Sequence, residues 1–285
     1  MKKSTIGCIA MSCLLWIFTL SCTSDLSEHH GKLDIKLFNG DALNQPLIVG
    51  FGGSEGGNAW ASEYWRDERD KFIEDGFAFM AIGYFGAPGT PNQLDRISLN
   101  AIRDSIVNIA KRHPAIDHTN ITLIGGSKGG ELVLNLASYF NDFNNVVAIV
   151  PSHTSFHAHT IMANTSSWML YNEEVPFVPA TWSSLPATLK RDLHSAFSIM
   201  LQDSLAVQRA RIPVEKISGS ILLISASNDE MWPSTLMSNY LISNLNSIGF
   251  QHRLEHIVIE GDHASPLKHF DIIHEFLREE NLTKP

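Results

Sequence analysis

Residues 121–134 read ITLIGGSKGGELVL: an apolar run, then Gly125-Gly126-Ser127-Lys128-Gly129-Gly130, then a second apolar run. Glycine loses more conformational freedom on folding than any other residue. Four glycines around one serine therefore mark a backbone that needs space or an unusual dihedral angle. The pattern Gly125-x-Ser127-x-Gly129, between an expected strand and an expected helix, is that of a nucleophile elbow. This sharp turn holds a serine oxygen above the end of a sheet, at the positive end of the helix that follows. A plain glycine-rich turn with a surface serine would not call for a strand and a helix on its two sides.

Similar apolar runs recur on both sides of this stretch. They cover residues 32–38, 46–51, 77–84, 120–125, 146–151, 220–226 and 254–260. Most are nearly continuous, as strands buried on both faces are. Between them, Leu99, Ile102, Ile106 and Ile109 share one helical face. Leu132, Leu134, Leu136 and Ala137 follow the glycine cluster. Leu236, Leu241 and Leu245 pattern a later segment, and Ile272, Ile273, Phe276 and Leu277 the last one. The alternation predicts an α/β fold over residues 32–285, with a mostly parallel sheet covered by helices on both faces. Residues 152–217 break the rhythm. They are expected to form a cap insertion in which Trp168 and Trp182 shape a pocket.

The 285-residue chain has enough apolar content for a large core, and its net charge of −9 is the wrong sign for a nucleic-acid binder. Cys8, Cys13 and Cys22 are its only cysteines, so the body offers no thiol for a disulfide framework or a metal. Met1-Lys2-Lys3 is a basic start, and IGCIAMSCLLWIFTL (6–20) is an apolar stretch of signal-peptide length. The following Ser21-Cys22 and polar run resemble a bacterial lipoprotein signal, with cleavage before Cys22 and lipid on its sulfur. Thr19 departs from the aliphatic residue usual three places before that cysteine. The expected organisation is a signal over 1–21, a tether over 22–31 and an exported, membrane-anchored envelope domain. An ordinary export signal or an uncleaved anchor are the alternatives, and a misread signal would return the chain to the cytoplasm.

A serine hydroxyl is a weak nucleophile near neutral pH and needs a base, itself oriented by an acid. In folds with this elbow the chain order is serine, acid, histidine. After the run at 220–226 comes Ser227-Asn228-Asp229-Glu230, and after that at 254–260 comes Gly261-Asp262-His263. Ser127, Asp229 and His263 are therefore the expected triad, with Glu230 and Asp262 competing for the acid's place. An oxyanion needs backbone donors. One is expected from Lys128, the residue after the nucleophile. The other is expected from Gly53 and Ser54 in the loop Gly52-Gly53-Ser54-Glu55-Gly56-Gly57. The Lys128 side chain reads as a solvated lysine rather than a phosphate ligand. His153, His157 and His159 form a metal-like cluster without acidic partners, so neither a metal nor a cofactor is expected.

The stretches GFGGSEGGNAWASEYW (50–65), GFAFMAIGYFG (76–86), GGSKGGELVLNLAS (125–138), VVAIVPSHTSF (146–156), SSWMLYNEEVPFVP (166–179) and RIPVEKISGSILLISASNDEMWPS (211–234) carry a resemblance. Together they resemble the C-terminal catalytic domain of acyl-CoA thioesterases and bile acid-CoA:amino acid N-acyltransferases, within the α/β-hydrolase superfamily. The resemblance implies a serine hydrolase of acyl thioesters or esters with the same three residues. Where members with a cysteine nucleophile exist, serine here leans towards hydrolysis over transfer to an amine. Characterised animal members carry an N-terminal β-sandwich, for which this sequence leaves no expected room. The run after His263 also differs. An exported chain would not meet acyl-CoA, so the alternative is an envelope carboxylesterase or N-acyltransferase acting on another ester, thioester or amide. A non-catalytic binding protein is the remaining class, though such scaffolds usually lack a triad residue.

Overall fold

The computed structural model describes residues 25–282; the signal region and Cys22 lie outside them. A seven-stranded sheet forms the centre. Its strands are β1 (Asp34–Phe38), β2 (Gln45–Phe51), β3 (Ala78–Gly83), β4 (Ile116–Gly126), β5 (Asn145–Ile149), β6 (Ser220–Ala226) and β7 (Leu254–Ile259). Their spatial order is β1-β3-β2-β4-β5-β6-β7. Only β1 runs antiparallel; every other pairing is parallel. All seven apolar runs became these strands. β4 begins earlier than its apolar stretch, because Gln45 and Pro46 pair with Ile116 and Asp117 before the register shifts at Leu47.

Alternate residues face opposite layers. Leu47, Val49 and Phe51 of β2 pack into one buried cluster with α2 (Leu99–Arg112) and α3 (Lys128–Tyr139), whereas Ile48 packs into the other. That second layer is α1 (Arg66–Glu74) and α8 (Phe270–Leu282), which contribute Phe72, Ile273 and Phe276. A strand buried on both sides has no polar face to display, which is why the runs read as continuous. Helix α7 (Ser234–Ser247) buries Leu241 and Leu245 but leaves Leu236 exposed, so Leu236 is not part of that helix's core face.

Residues 152–217 hold the short helices α4 (Leu185–Leu189), α5 (Leu193–Met200) and α6 (Ser204–Ala210) and two short strands that pair with each other and with residues 97–98. Phe156, Val178, Ala196 and Met200 join Trp232 and Met237 in a third apolar cluster that seats this segment on the sheet's end. Among the described residues no helix is long and apolar enough to cross a membrane.

Parallel pairing decides where the site must be. Phe51 pairs with Gly125, Gly126 with Ile149, and Ala226 with Ile259. The loops after β2, β4, β5, β6 and β7 therefore leave the sheet along one edge, which is where open α/β sheets bind their ligands.

Candidate active site

Ser127 stands between β4 and α3 with φ 56° and ψ −118°. Non-glycine residues rarely adopt positive φ, and such strain costs on the order of 1–3 kcal/mol. Two bonds hold it: Ser127 N–H donates to the Ile149 carbonyl at 2.9 Å, and the Ser127 carbonyl accepts from Glu131 N–H at 3.1 Å. The flanking glycines are needed for close approach. A Cβ on Gly125 would run into the Gly129 carbonyl, and one on Gly129 would come within 2.5 Å of the Gly52 carbonyl oxygen. Gly126 has open space by comparison. Gly125 thus lets the turn close on its own helix start, and Gly129 lets it press against the β2 loop.

Asp229 and His263 leave the ends of β6 and β7 and meet. His263 Nδ1 lies 2.8 Å from Asp229 Oδ1, and the same oxygen accepts from the backbone N–H groups of Met231 at 3.0 Å and Trp232 at 3.2 Å. Facing a carboxylate, Nδ1 is the nitrogen assigned the proton. Burial pulls the Asp229 carboxyl upward, but His263 and the backbone donors outweigh it and hold the group below its ordinary value. The competing acids have other partners. Glu230 accepts from the His263 backbone N–H at 2.9 Å, and Asp262 accepts from Ser265 Oγ at 2.7 Å. Among the described residues no protein group bonds His263 Nε2, and no hydrogen bond closes between His263 and Ser127 Oγ. Catalytic bonds of this kind commonly tighten only with substrate in place.

The β2 loop is shaped by two residues that sequence reasoning missed. Tyr84 donates its buried hydroxyl to the Gly52 carbonyl at 2.8 Å and to that of Gly53 at 3.3 Å. Glu55 folds back to accept the Gly53 N–H at 2.9 Å. Of the expected donor pair, Gly53 therefore spends its N–H inside its own turn, because an acceptor two residues on closes it. Ser54 remains, lining the cavity beside Ser127 and Lys128. Lys128 is the first residue of α3, where a backbone N–H has no partner inside the helix.

The Lys128 side chain is not solvated. It is 2% exposed, and its Nζ lies 2.8 Å from both Glu131 carboxylate oxygens, one turn along α3. Burial lowers the Lys128 ammonium below the usual lysine value, against the pull of Glu131. Glu131 also accepts from Trp168 Nε1 at 2.6 Å, Ser152 Oγ at 3.1 Å and Phe156 N–H at 3.1 Å. This buried carboxylate is thus shared between the helix below the elbow and the 152–217 segment above it. The i,i+3 spacing of Lys128 and Glu131 was readable in the sequence; the remaining donors, 21 to 37 residues away, were not.

Ser127 opens into a cavity of about 820 Å³. Leu193, Ala196, Phe197, Met200, Met231 and Trp232 supply apolar walls, with Trp182 at the mouth. Trp168 does not line this cavity: it is fully buried on Glu131. The His263 ring lies 6.2 Å from that of Trp232, one of the lining residues. His194 of α5 docks on the acid loop, with Nδ1 2.6 Å from the Asp229 carbonyl oxygen. The three cap histidines do not converge. His153 stacks on Tyr240, and burial pushes it down to about 4. His157 bonds the Ala158 carbonyl through Nδ1, and His157 and His159 line the cavity. Among the described residues no group of three or more His, Cys, Asp or Glu side chains is placed to hold a metal.

Known proteins can now be set beside this geometry. Acyl-coenzyme A thioesterase 1 of Rattus norvegicus is 27% identical over 174 residues, covering 61% of this chain and 39% of the rat protein. Acyl-coenzyme A amino acid N-acyltransferase 1 of Mus musculus is 26% identical over 176 residues, with the same coverage of 61% and 39%. The chain thus spans about two fifths of the length of these curated relatives. Among solved structures, the acylaminoacyl peptidase of Pyrococcus horikoshii superposes with a TM-score of 0.61 at 17% identity, over 86% of this chain and 39% of its own. The complex of DcsB with its substrate analogue gives 0.58 at 15%, over 87% and 94%. These likenesses show the α/β-hydrolase fold. The family model described as BAAT / Acyl-CoA thioester hydrolase C terminal matches residues 104–264, more than half of the sequence and the stretch that holds Ser127, Asp229 and His263, and the chain belongs to that family.

Proposed function

We propose that the protein is a serine hydrolase that cleaves acyl thioesters or esters through an acyl-enzyme intermediate. The observation that carries this is the convergence on one sheet edge of a strained serine at a helix start and a histidine whose Nδ1 is held by a buried carboxylate. Ser127 Oγ attacks the acyl carbonyl while His263 Nε2 takes its proton, and Asp229 steadies the imidazolium. The carbonyl oxygen becomes an oxyanion held by the backbone N–H groups of Lys128 and Ser54. Collapse breaks the bond to the leaving thiol or alcohol, which receives the proton from His263. A water molecule repeats the cycle on the acyl-serine and releases the carboxylic acid.

The apolar cavity suits the acyl chain, and the membership of the family favours a thioester. The test is a matched panel of acyl-CoA thioesters and p-nitrophenyl esters of several chain lengths, with Ser127→Ala as control. Preference for acyl-CoA supports the activity that the relatives' names state; turnover of simple esters alone supports an envelope esterase. Turnover undiminished in Ser127→Ala overturns the reading. Export as a lipoprotein belongs to the same proposal, and normal processing of a Cys22→Ala chain would contradict it.

A further inference from the structure

We propose that the mouth of the cavity docks on a phospholipid bilayer, with Ile161, Met162 and Trp182 seated in the lipid interface. This surface stands apart from the catalytic reading and would let an acyl chain pass from the bilayer to Ser127.

The first observation is two turns with the wrong corners. The Thr160 carbonyl accepts from Ala163 N–H at 3.1 Å, which puts Ile161 and Met162 at the corners of one turn. The Thr181 carbonyl accepts from Ser184 N–H at 3.1 Å, which puts Trp182 at the corner of another. Turn corners facing water are ordinarily Gly, Pro, Asn, Asp or Ser. Here Ile161 is 100% exposed, Met162 74% and Trp182 90%. All three line the mouth of the cavity that holds Ser127. Grouped exposed apolar side chains around a cavity mark an interaction surface, and tryptophan and the aliphatic side chains beside it suit the boundary between headgroups and acyl chains.

The second observation is where the chain enters. The turn at 160–163 tips a short antiparallel arm, in which His157 pairs with Ser166 and Ala158 N–H donates to the Thr165 carbonyl. The base of that arm is fixed by Arg96 N–H on the Ser166 carbonyl and by Thr165 Oγ1 on Asp95. The Arg96 guanidinium also holds the carbonyl of Asp25, the first described residue, at 3.2 Å. Met162 lies four residues before Ser166, so Asp25 and the tip are within roughly 25 Å, counting the Arg96 side chain and an extended rise of about 3.4 Å per residue. The 24 residues before Asp25 include the apolar stretch 6–20. On the lipoprotein reading proposed above, cleavage removes that stretch and leaves lipid on Cys22, three residues before Asp25, so the bilayer it enters is within reach of these turns. Lys190 and Arg191 add exposed positive charge after Leu189, on a protein of net charge −9, where lipid phosphates would meet them.

The test uses the processed chain, starting at the lipid-bearing Cys22, in phosphatidylglycerol vesicles whose acyl chains carry bromine near the headgroups. This chain lacks Trp16; Trp182 lies on the rim, Trp65 is half-buried, and Trp60, Trp168 and Trp232 are buried in the fold. Quenching by bromine should fall at least twofold in Trp182→Phe, because the one tryptophan exposed among the described residues is gone. Amide exchange at 159–164 should slow when vesicles are added. Equal quenching in Trp182→Phe and the parent would overturn the proposal. So would slowed exchange that appears without vesicles and grows with protein concentration, which would assign the rim to a second copy of the chain.

Discussion

Two histidines in this molecule are each bound to carboxylates, and they are built for different ends. His263 gives Nδ1 to Asp229, and its Nε2 has no protein partner among the described residues. His274, between α1 and α8, gives both nitrogens away: Nδ1 to Asp75 at 2.7 Å and Nε2 to Glu68 at 2.9 Å, with its ring stacked on Phe72 at 4.1 Å. A proton shuttle needs one nitrogen in reach of the reacting atoms, held in a fixed tautomer by the other. A histidine with two carboxylates and no free nitrogen is a charged staple. The pairing with a carboxylate is common to both and does not by itself indicate catalysis; the proposed mechanism rests on the nitrogen that His263 leaves unpaired and His274 does not.

Substitutions can break this comparison, and the largest effect is expected at His263. Changing His263→Gln should lower kcat on the preferred acyl substrate by on the order of 10⁴-fold and leave the unfolding midpoint nearly unmoved. Asp229→Asn, which keeps the shape and loses the charge, should cost a similar factor, whereas Glu230→Gln, whose side chain bonds the backbone of His263 and not its ring, should cost far less. Steady-state kinetics on the three variants decides it: an equal loss from Glu230→Gln would move the acid's role. Tyr84→Phe should reduce kcat by about 10-fold without unfolding the chain, since the Gly52 and Gly53 carbonyls lose their anchor and the Ser54 donor its fixed aim.

His274→Gln should show the reverse pattern, with activity little changed and stability lowered by about 2 kcal/mol in urea titration. Burial lowers the proton affinity of His274, but Glu68 and Asp75 raise it further, so its folded value lies above the ordinary 6.5. A group that holds its proton more tightly folded than unfolded stabilises fully below the unfolded pKa. That contribution is lost as pH rises through the folded one. The parent protein should therefore lose stability from about pH 6.5 upward with a slope that His274→Gln lacks; identical slopes would remove the staple from the account.

The same contrast shows what a sequence displays. Asp229 and His263 were legible because each follows directly on an apolar strand, and parallel strands end at one edge; topology brought them together without any need to know the packing. Ser127 was legible because its neighbours had to be glycine. His274 carried no such mark. Its partners lie 199 and 206 residues away, at the end of α1 and on it, and that helix's own pattern says only which face is buried. Lys128 looked solvated for the same reason, since the segment that covers it, including Trp168, has no periodicity from which to place it. The Gly53 donor failed on a local detail: Glu55 two residues on is visible in the sequence, but its fold-back depends on the turn. Trp182 and Trp168 looked alike as cap tryptophans, and only packing separates the rim residue from the buried one.

The most direct test of the central claim is to stop turnover of an acyl thioester with acid and weigh the protein and its peptides. The account predicts an added acyl mass on the peptide holding Ser127, absent in Ser127→Ala and in the protein without substrate. Continued turnover with Ser127 unmodified, or an acyl group on a different residue that disappears when that residue is replaced, would contradict it.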